Sequence, residues 1–523
     1  MIGTKRSVGI PLLVLCAWLL NACVTLGPDA QEPKVEWLED WQPDLYGQLG
    51  NTETQNNQEL DFWWQVFNDP GLNRLLETAQ RENPSLHIAG LRIIESRAIL
   101  GIADSSLYPQ VQQLNGSVTR VKQSSTGAGS DQSLTNYEAS FDLGWELDFW
   151  GRFRRGIESA DAAYFASITS HQDAQVLLNA QMVDLYFSYW TTLQRIKIAH
   201  ENSAIQKRSF EITEKIFKSG QGSELDLQQA KTQYLATLAT IPGLESTQIK
   251  LRNAVGALLG RPPGRVPELE HITKPLPDIG PVVINEIPSR LLLRRPDIRT
   301  AAWQVAAQSA QIGIAKADYY PSITLLGTLG WSTNSLSGSP EVTTVAGGPS
   351  LSWNLFDYGR IRNNVRLQDV RLQQAIEAFQ FKVVNAAREI DDAAITVVKA
   401  DAQQSVLVES LASAERSLDL ANKRYQEGYA DFQRVLDAQR VLFAQAEQNL
   451  LSRGAYLGAV VSLYKAIGGG WISTAGDQLV PANVRDQMSE RTNWGELLTA
   501  PLPNIPTSAS TGESSNGTEA SND

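Results

Sequence analysis

The 523-residue chain has very few of the residues that build disulfides and metal centres: two cysteines, three methionines and four histidines. Only Cys23 remains once an N-terminal leader is removed, so we expect no disulfide within the chain. The histidines lie far apart in sequence, and none has a second histidine or cysteine at metal-ligand spacing; they are His87, His171, His200 and His271. The pattern predicts no metal site, no catalytic set, no enzymatic activity and no cofactor.

Long apolar runs are also missing after the leader. No stretch of 18 consecutive apolar residues occurs there, and a membrane-spanning helix needs about 20. Basic residues are outnumbered, since 57 acidic residues stand against 45 basic ones. Removing residues 1–22 takes away Lys5 and Arg6 and no acid, so the formal charge moves from −12 to −14. We therefore expect no nucleic-acid partner.

The N-terminus has the form of a secretory signal peptide over residues 1–22. Lys5-Arg6 precedes an apolar run from Val8 to Leu20, which is too short to span a bilayer. The ending Leu20-Asn21-Ala22-Cys23 resembles the lipobox of bacterial lipoproteins, in which the cysteine becomes the lipidated first residue. The alternative is ordinary cleavage after Ala22, which leaves a free thiol on Cys23. Val24 follows the cysteine, and by the sorting rule of that class this residue allows an outer-membrane destination.

Most of the remaining chain is a duplicated unit. Asn83-Pro84-Ser85-Leu86 is echoed by Arg295-Pro296-Asp297-Ile298 at an offset of 212, and Gly151-Arg152 by Gly359-Arg360 at an offset of 208. A period this long indicates a duplicated domain rather than a solenoid repeat. The predicted parts are a lipid-anchored N-terminal segment (23–69), repeat 1 (70–262), a proline-rich linker (263–282), repeat 2 (283–470) and a C-terminal tail (471–523). We expect the tail, which loses periodicity and ends rich in Ser, Thr, Asn and Pro, to be largely disordered.

Within each repeat the predicted order is helix, two strands, long helix, tight turn and returning helix. Residues 157–219 and 360–427 contain neither glycine nor proline, which predicts helices on the order of 100 Å long. Apolar residues recur every seven positions, as in Met182, Tyr189 and Ile196, and this indicates a coiled-coil seam. The turns at Gly220 and Gly428 would bring back antiparallel partners. Only the first returning helix contains Pro-Gly, at 242–243, and we expect it to be broken there.

The predicted strands alternate apolar and polar residues. In the first repeat the alternation covers residues 137–148, and in the second it covers 322–331 and 350–355. Such segments are typical of strands in an outer-membrane barrel, although a soluble antiparallel sheet with one wet face shows the same alternation. Four strands cannot close into a barrel, and open edges cannot lie in hydrocarbon. Three chains would supply twelve strands, so the pattern predicts a trimer that shares one barrel.

Three motifs resemble outer membrane efflux proteins of the TolC and OprM type. They are Asp61 to Leu72 (DFWWQVFNDPGL), Leu293 to Ile298 (LRRPDI) and Trp353 to Arg360 (WNLFDYGR). The resemblance runs from about Phe62 to Ile467, and the lipobox places the chain in the lipoprotein branch. It implies a mainly α TolC-like channel-tunnel with a membrane β-barrel: a homotrimer with a twelve-stranded barrel in the outer membrane of a Gram-negative bacterium and a long periplasmic helical barrel.

The resemblance also implies a periplasmic gate and a docking surface. The constricting aspartate of the family falls on Asp437, and Tyr425 and Asp226 match positions that hold neighbouring helices shut. Ala430 and Arg434 depart from the TolC pattern, so the predicted lock joins Arg434 to Asp226 or Asp437. The alternative is an exposed pair between Arg434 and Asp437 on one helix. The turns that would contact a periplasmic adaptor protein comprise Ser219, Gly220, Gln221, Gly222, Glu427, Gly428 and Tyr429.

The predicted function is that of an outer-membrane exit channel in a tripartite, RND-type efflux system. Its predicted partners are a periplasmic adaptor protein, an inner-membrane pump and the lipid of the outer membrane. Two alternatives stay open from the sequence. One is the outer-membrane duct of a type I protein secretion system, and the other is a non-conducting periplasmic coiled-coil lipoprotein. The sequence does not indicate which compounds pass.

Overall fold

A computed structural model describes residues 24–38, 60–123, 132–270, 272, 275–279, 289–334 and 342–506. The signal peptide and Cys23 lie outside these residues. The helices are α1 (Pro70–Glu82), α2 (Pro84–Ser105), α3 (Arg152–Lys218), α4 (Glu224–Leu258), α5 (Ser289–Arg294), α6 (Pro296–Ala317), α7 (Arg360–Gln426), α8 (Phe432–Ile467) and α9 (Ala482–Arg491). The strands are β1 (Val111–Gln123), β2 (Gln132–Glu146), β3 (Ser322–Thr333) and β4 (Val342–Ser352).

The duplication is visible in the helix bounds. Helices α2 and α6 begin and end 212 positions apart, and α3 and α7 begin and end 208 positions apart. The two long helices have 67 residues each, so each is about 100 Å long. In the described part of the chain, no helix combines the length and the apolar character needed to cross a membrane.

Helix α3 begins five residues earlier than predicted, and Gly156 lies inside it. Its start is fixed by Gly151, which adopts a left-handed backbone with φ of 72°. The Asp148 carboxylate accepts hydrogen bonds from the amides of Phe153 and Arg154 at 3.1 and 3.0 Å. These contacts satisfy amides that have no partner at a helix start, and they outweigh the cost of one interior glycine.

The predicted break at Pro242 is wrong, because α4 continues through it. Proline removes one hydrogen bond from a helix interior. However, α4 packs along α3, and the neighbouring Ile241 is buried. Packing along a long partner therefore holds the helix together where local propensity disfavours it.

The two long helices have different surroundings within one chain. Helix α3 packs against α2 and α6 towards its start, and against α4 and α8 towards its end. Helix α7 packs against α6 and α8, with a small contact to α5. Among the described residues, one flank of α7 is therefore uncovered where the matching flank of α3 is covered.

The four strands form one antiparallel sheet in the order β1-β2-β3-β4. One row of paired residues crosses all four strands on the apolar face: Leu114, Phe141, Leu329 and Val345. On the opposite face the Asp142 carboxylate accepts hydrogen bonds from the side chains of Asn115, Ser140 and Thr328. The predicted alternation of an apolar and a polar face is confirmed within the strands. The predicted segments 137–148 and 350–355 extend too far, because β2 ends at Glu146 and β4 ends at Ser352.

The prediction of disorder in the C-terminal tail is wrong as far as residue 506. Residues 476–478 form a 3-10 helix, α9 follows, and Leu479 and Val480 are buried. The guanidinium of Arg97 donates to the carbonyls of residues 497, 500 and 501, each at 3.0 Å. A few apolar anchors and one arginine thus hold a segment that shows no regular period. Residues 507–523 lie outside the described part.

Candidate gate at the helix tips

Both helical hairpins end in the same turn. Gly220 and Gly428 adopt left-handed backbones with φ of 78° and 80°. The Gly220 amide donates to the Phe217 carbonyl at 2.9 Å, and the Gly428 amide donates to the Tyr425 carbonyl at 3.0 Å. This closure of a helix end favours glycine, because a side chain at positive φ is strained.

The residues predicted to contact an adaptor lie at these turns and are largely exposed. Tyr429 has 82% of its surface exposed. Gly222 is half-buried, and a Cβ added to it would lie 3.0 Å from Cγ2 of Ile216. The others, all exposed, are Ser219, Gly220, Gln221, Glu427 and Gly428. The tips thus offer backbone and one aromatic ring to a partner, and the adaptor contact stays a prediction.

Asp437 lies two turns above the second tip, in a groove between α4 and α8 that polar and apolar side chains line together. Its carboxylate accepts a hydrogen bond from the Arg440 guanidinium at 2.7 Å and a weaker one from Gln433 at 3.4 Å. Gln229, which occupies the matching position of repeat 1, lines the same groove of about 560 Å³, and its Oε1 is buried without a hydrogen-bond partner. The structure therefore brings Asp437 and Gln229 into one groove.

The predicted lock around Arg434 is not formed within one chain. Among the described residues, the Arg434 guanidinium makes no ion pair with Asp226 or Asp437. Asp437 pairs instead with Arg440, which lies one turn further along α8. The alternative, an exposed pair between Arg434 and Asp437 on one helix, is therefore absent as well. Tyr425 packs its ring against Phe432 with 5.2 Å between ring centroids. A lock that joins neighbouring subunits stays a prediction.

A link between the hairpins that the sequence reasoning missed lies higher on α3. The Arg195 guanidinium donates to Glu447 on α8, with 3.0 Å between Nε and Oε1. Below it, Gln439 donates to Ser209 at 3.0 Å in a buried contact. The positions that match Arg195 and Glu447 in the other repeat are Gln403 and Ala239. Comparing the repeats for charges present in only one copy would have found this pair.

The chain is similar to known proteins along most of its length. The sequence profile of the outer membrane efflux protein family matches residues 75–261 and 287–469, one match in each repeat. The chain belongs to the outer membrane efflux protein family. This efflux protein is 30% identical over 470 residues to the probable outer membrane lipoprotein SilC of Salmonella typhimurium. The aligned region covers 88% of this chain and 98% of SilC.

Two further comparisons agree. The efflux protein is 29% identical over 422 residues to the pyoverdine export outer membrane protein OpmQ of Pseudomonas putida, covering 78% of this chain and 88% of OpmQ. A solved structure of the outer-membrane channel OprN has a TM-score of 0.75 and 30% identity, covering 86% of this chain and 99% of that chain. The predicted family, TolC-like fold and outer-membrane location are confirmed.

Proposed function

We propose that three copies of this chain assemble into the outer-membrane exit channel of a tripartite efflux system. The channel conducts drugs or other small toxic compounds passively from the periplasm to the exterior. The observation that carries the proposal is the open four-stranded sheet, apolar on one face and polar on the other, which continues into two helical hairpins. Edge strands β1 and β4 run in opposite directions, so β4 of one copy fits antiparallel beside β1 of the next. Twelve strands then close without an edge.

The helices support the same assembly. Val176 on α3 is 4% exposed, whereas Val384, at the matching position of α7, is 48% exposed. Ala162 is 6% exposed and its match Val370 is 55% exposed. Val176 and Ala162 belong to α3, which packs against four helices of its own chain, α2, α4, α6 and α8. Their matches belong to α7, which packs mainly against α6 and α8. In a ring of three chains, α2 and α4 of the neighbour would cover the open flank of α7 and bury its apolar residues.

Replacing Val384 by Asp tests the assembly, because it places a charge on the proposed interface. We expect Val384→Asp to abolish the heat-modifiable trimer on gels, with light scattering showing a monomer. Val384→Ile is the control and keeps the trimer. A Val384→Asp protein that remains a trimer with the heat stability of the wild type would contradict the proposed interface.

Asp437 is proposed to form the narrowest charged ring of the closed channel. Three carboxylates around a three-fold axis favour cations in a pore, and the neighbouring Arg440 offsets part of that charge. We expect Asp437→Ala to change the conductance in planar bilayers and to lower the preference for K⁺ over Cl⁻. The control is Gln229→Ala, which alters the uncharged match in the same groove. Unchanged conductance and selectivity in Asp437→Ala would remove this residue from the gate.

The working partners of the channel are proposed to be a periplasmic adaptor, docked on the hairpin tips, and an inner-membrane pump. Exposed tip residues support this docking, since a partner can reach them without unfolding a helix. A deletion strain tested against antibiotics, dyes, solvents and metals would identify the exported class. Loss of a secreted protein, with unchanged drug sensitivity, would favour a protein secretion duct instead.

A further inference from the structure

The residues that follow the predicted lipidation site lie in a groove between α3 and α6. The Leu26 amide donates to the Trp150 carbonyl at 3.3 Å. Ser309, on α6, donates its hydroxyl to the Pro28 carbonyl at 3.3 Å. One wall of the groove therefore belongs to repeat 1 and the other to repeat 2, so the groove exists only when both repeats have folded together.

Three glycines let the segment approach the helices closely. Gly27 has φ of 98°, and a Cβ on it would lie 2.6 Å from the Cα of Gly313. A Cβ on Gly313 would lie 2.5 Å from the Leu26 carbonyl oxygen, and one on Gly151 would lie 2.8 Å from the Cα of Thr25. Backbone packs directly on backbone at these points, which only glycine permits.

The buried guanidinium of Arg155 holds the segment in the groove. The side chain is 2% exposed. It donates to the Leu26 carbonyl at 2.9 Å, the Gly27 carbonyl at 3.4 Å and the Asp29 carboxylate at 2.8 Å. Glu158 accepts a further hydrogen bond at 2.6 Å. Burying a guanidinium is costly unless its donors are satisfied. Three of these four hydrogen bonds are made to the N-terminal segment.

The duplication shows that this arrangement is made once. The position that matches Arg155 in repeat 2 is Asn363, and the position that matches Gly313 in repeat 1 is Gly101. A Cβ on Gly101 would meet nothing within 4 Å. The matching positions therefore lack both the clamping arginine and the close approach, so repeat packing by itself does not account for Arg155.

We propose that Arg155 is a positioning residue that fixes the lipid anchor beside the junction of sheet and helices. The inference rests on the proposed outer-membrane channel and on the predicted lipidation of Cys23. Cys23 lies two residues before Thr25, so its reach from Thr25 is at most about 7 Å at 3.3–3.6 Å per residue. Thr25 contacts Gly151, which lies five residues after the end of β2. The acyl chains therefore enter the bilayer next to the strands, and the clamp couples the anchor to insertion of the sheet.

Hydrogen exchange tests the clamp in the purified full-length trimer. We expect the Leu26 amide to exchange at least tenfold faster in Arg155→Ala, and also in Arg155→Lys, since lysine lacks the planar fork that reaches several oxygens. Gly313→Ala should act alike, because its Cβ would lie 2.5 Å from the Leu26 carbonyl oxygen and 2.7 Å from Cγ of Arg155, so it displaces both partners of the clamp. Asn363→Ala is the matched control and leaves this amide unchanged. Wild-type protection in both Arg155 variants would overturn the clamp.

Dependence on the anchor separates positioning from a merely structural role. We expect Arg155→Ala to reduce the yield of membrane-inserted trimer at least threefold in the lipidated protein. It should add no further loss to Cys23→Ser secreted with an ordinary signal peptide. Equal losses in both backgrounds would overturn the proposal. Arg155→Ala trimers that do form should conduct like the wild type, whereas failure of the channel function itself would show as a non-conducting wild type.

Discussion

Breaking the ion pair between Arg195 and Glu447 is predicted to loosen the two hairpins of each chain. The pair joins α3 to α8, and its side chains are 27% and 31% exposed. At this partial burial, loss of a charged hydrogen bond costs about 1 kcal/mol, between the values for exposed pairs and for buried charged bonds. Three pairs in a trimer give about 3 kcal/mol, which is roughly a hundredfold in the equilibrium between joined and separated hairpins.

Single-channel recording in planar bilayers measures this equilibrium as open probability. Arg195→Ala and Glu447→Ala should each raise it by up to that factor. The exchanged pair, Arg195→Glu with Glu447→Arg, should restore it, since the attraction is kept with its direction reversed. Lys207→Ala is the control, because Lys207 pairs with Glu211 on its own helix. An unchanged open probability in both single variants, or an exchanged pair no better than either, would refute the reasoning.

Three further predictions concern stability and the tips. Burial raises the pKa of Asp173 to about 6, so the folded chain binds the extra proton. The stability this gives is complete below the unfolded pKa near 4 and is lost as pH rises through 6; Asp173→Asn should remove that slope from thermal melts between pH 4 and 7. Gly90→Ala should detach the C-terminal segment and speed trypsin cleavage there, because a Cβ would lie 2.1 Å from the Leu479 carbonyl oxygen. Gly101→Ala, in open space on the same helix, should leave cleavage unchanged. Gly220→Ala should cost about 1 kcal/mol at the turn and weaken adaptor binding in a pull-down assay.

The sequence predicts much of this fold because its signals are local and long. Sixty or more residues without glycine or proline predict a long helix, and the second long helix, α7, starts at Arg360 as expected. Strand alternation is likewise local. Pro242 misled because α3 packs against α4 across the hairpin, with contacts such as Asn202 to Thr237, and these tertiary contacts leave no signal in the residues around the proline. The C-terminal segment misled because scattered anchors, such as Leu479, carry no period.

The candidate gate was predictable only in part. Resemblance to the family brings attention to Asp437, and the structure adds that Gln229 lies in the same groove. The resemblance does not predict that Arg440 rather than Arg434 pairs with Asp437. Each arginine lies three residues from Asp437, on opposite sides, and side-chain direction decides between them. Arg155 was missed altogether, since two of its four partners are backbone carbonyls, which leave no mark in a sequence, and a third, Asp29, lies 126 residues away.

The most direct test of the account is ion conduction by the purified lipidated protein in planar bilayers, with the oligomeric state of the same sample measured by light scattering. We predict a trimer that inserts, conducts in discrete steps and prefers K⁺ to Cl⁻. A monomeric rod that binds membranes without conducting would contradict the central claim that three copies of this chain build one channel.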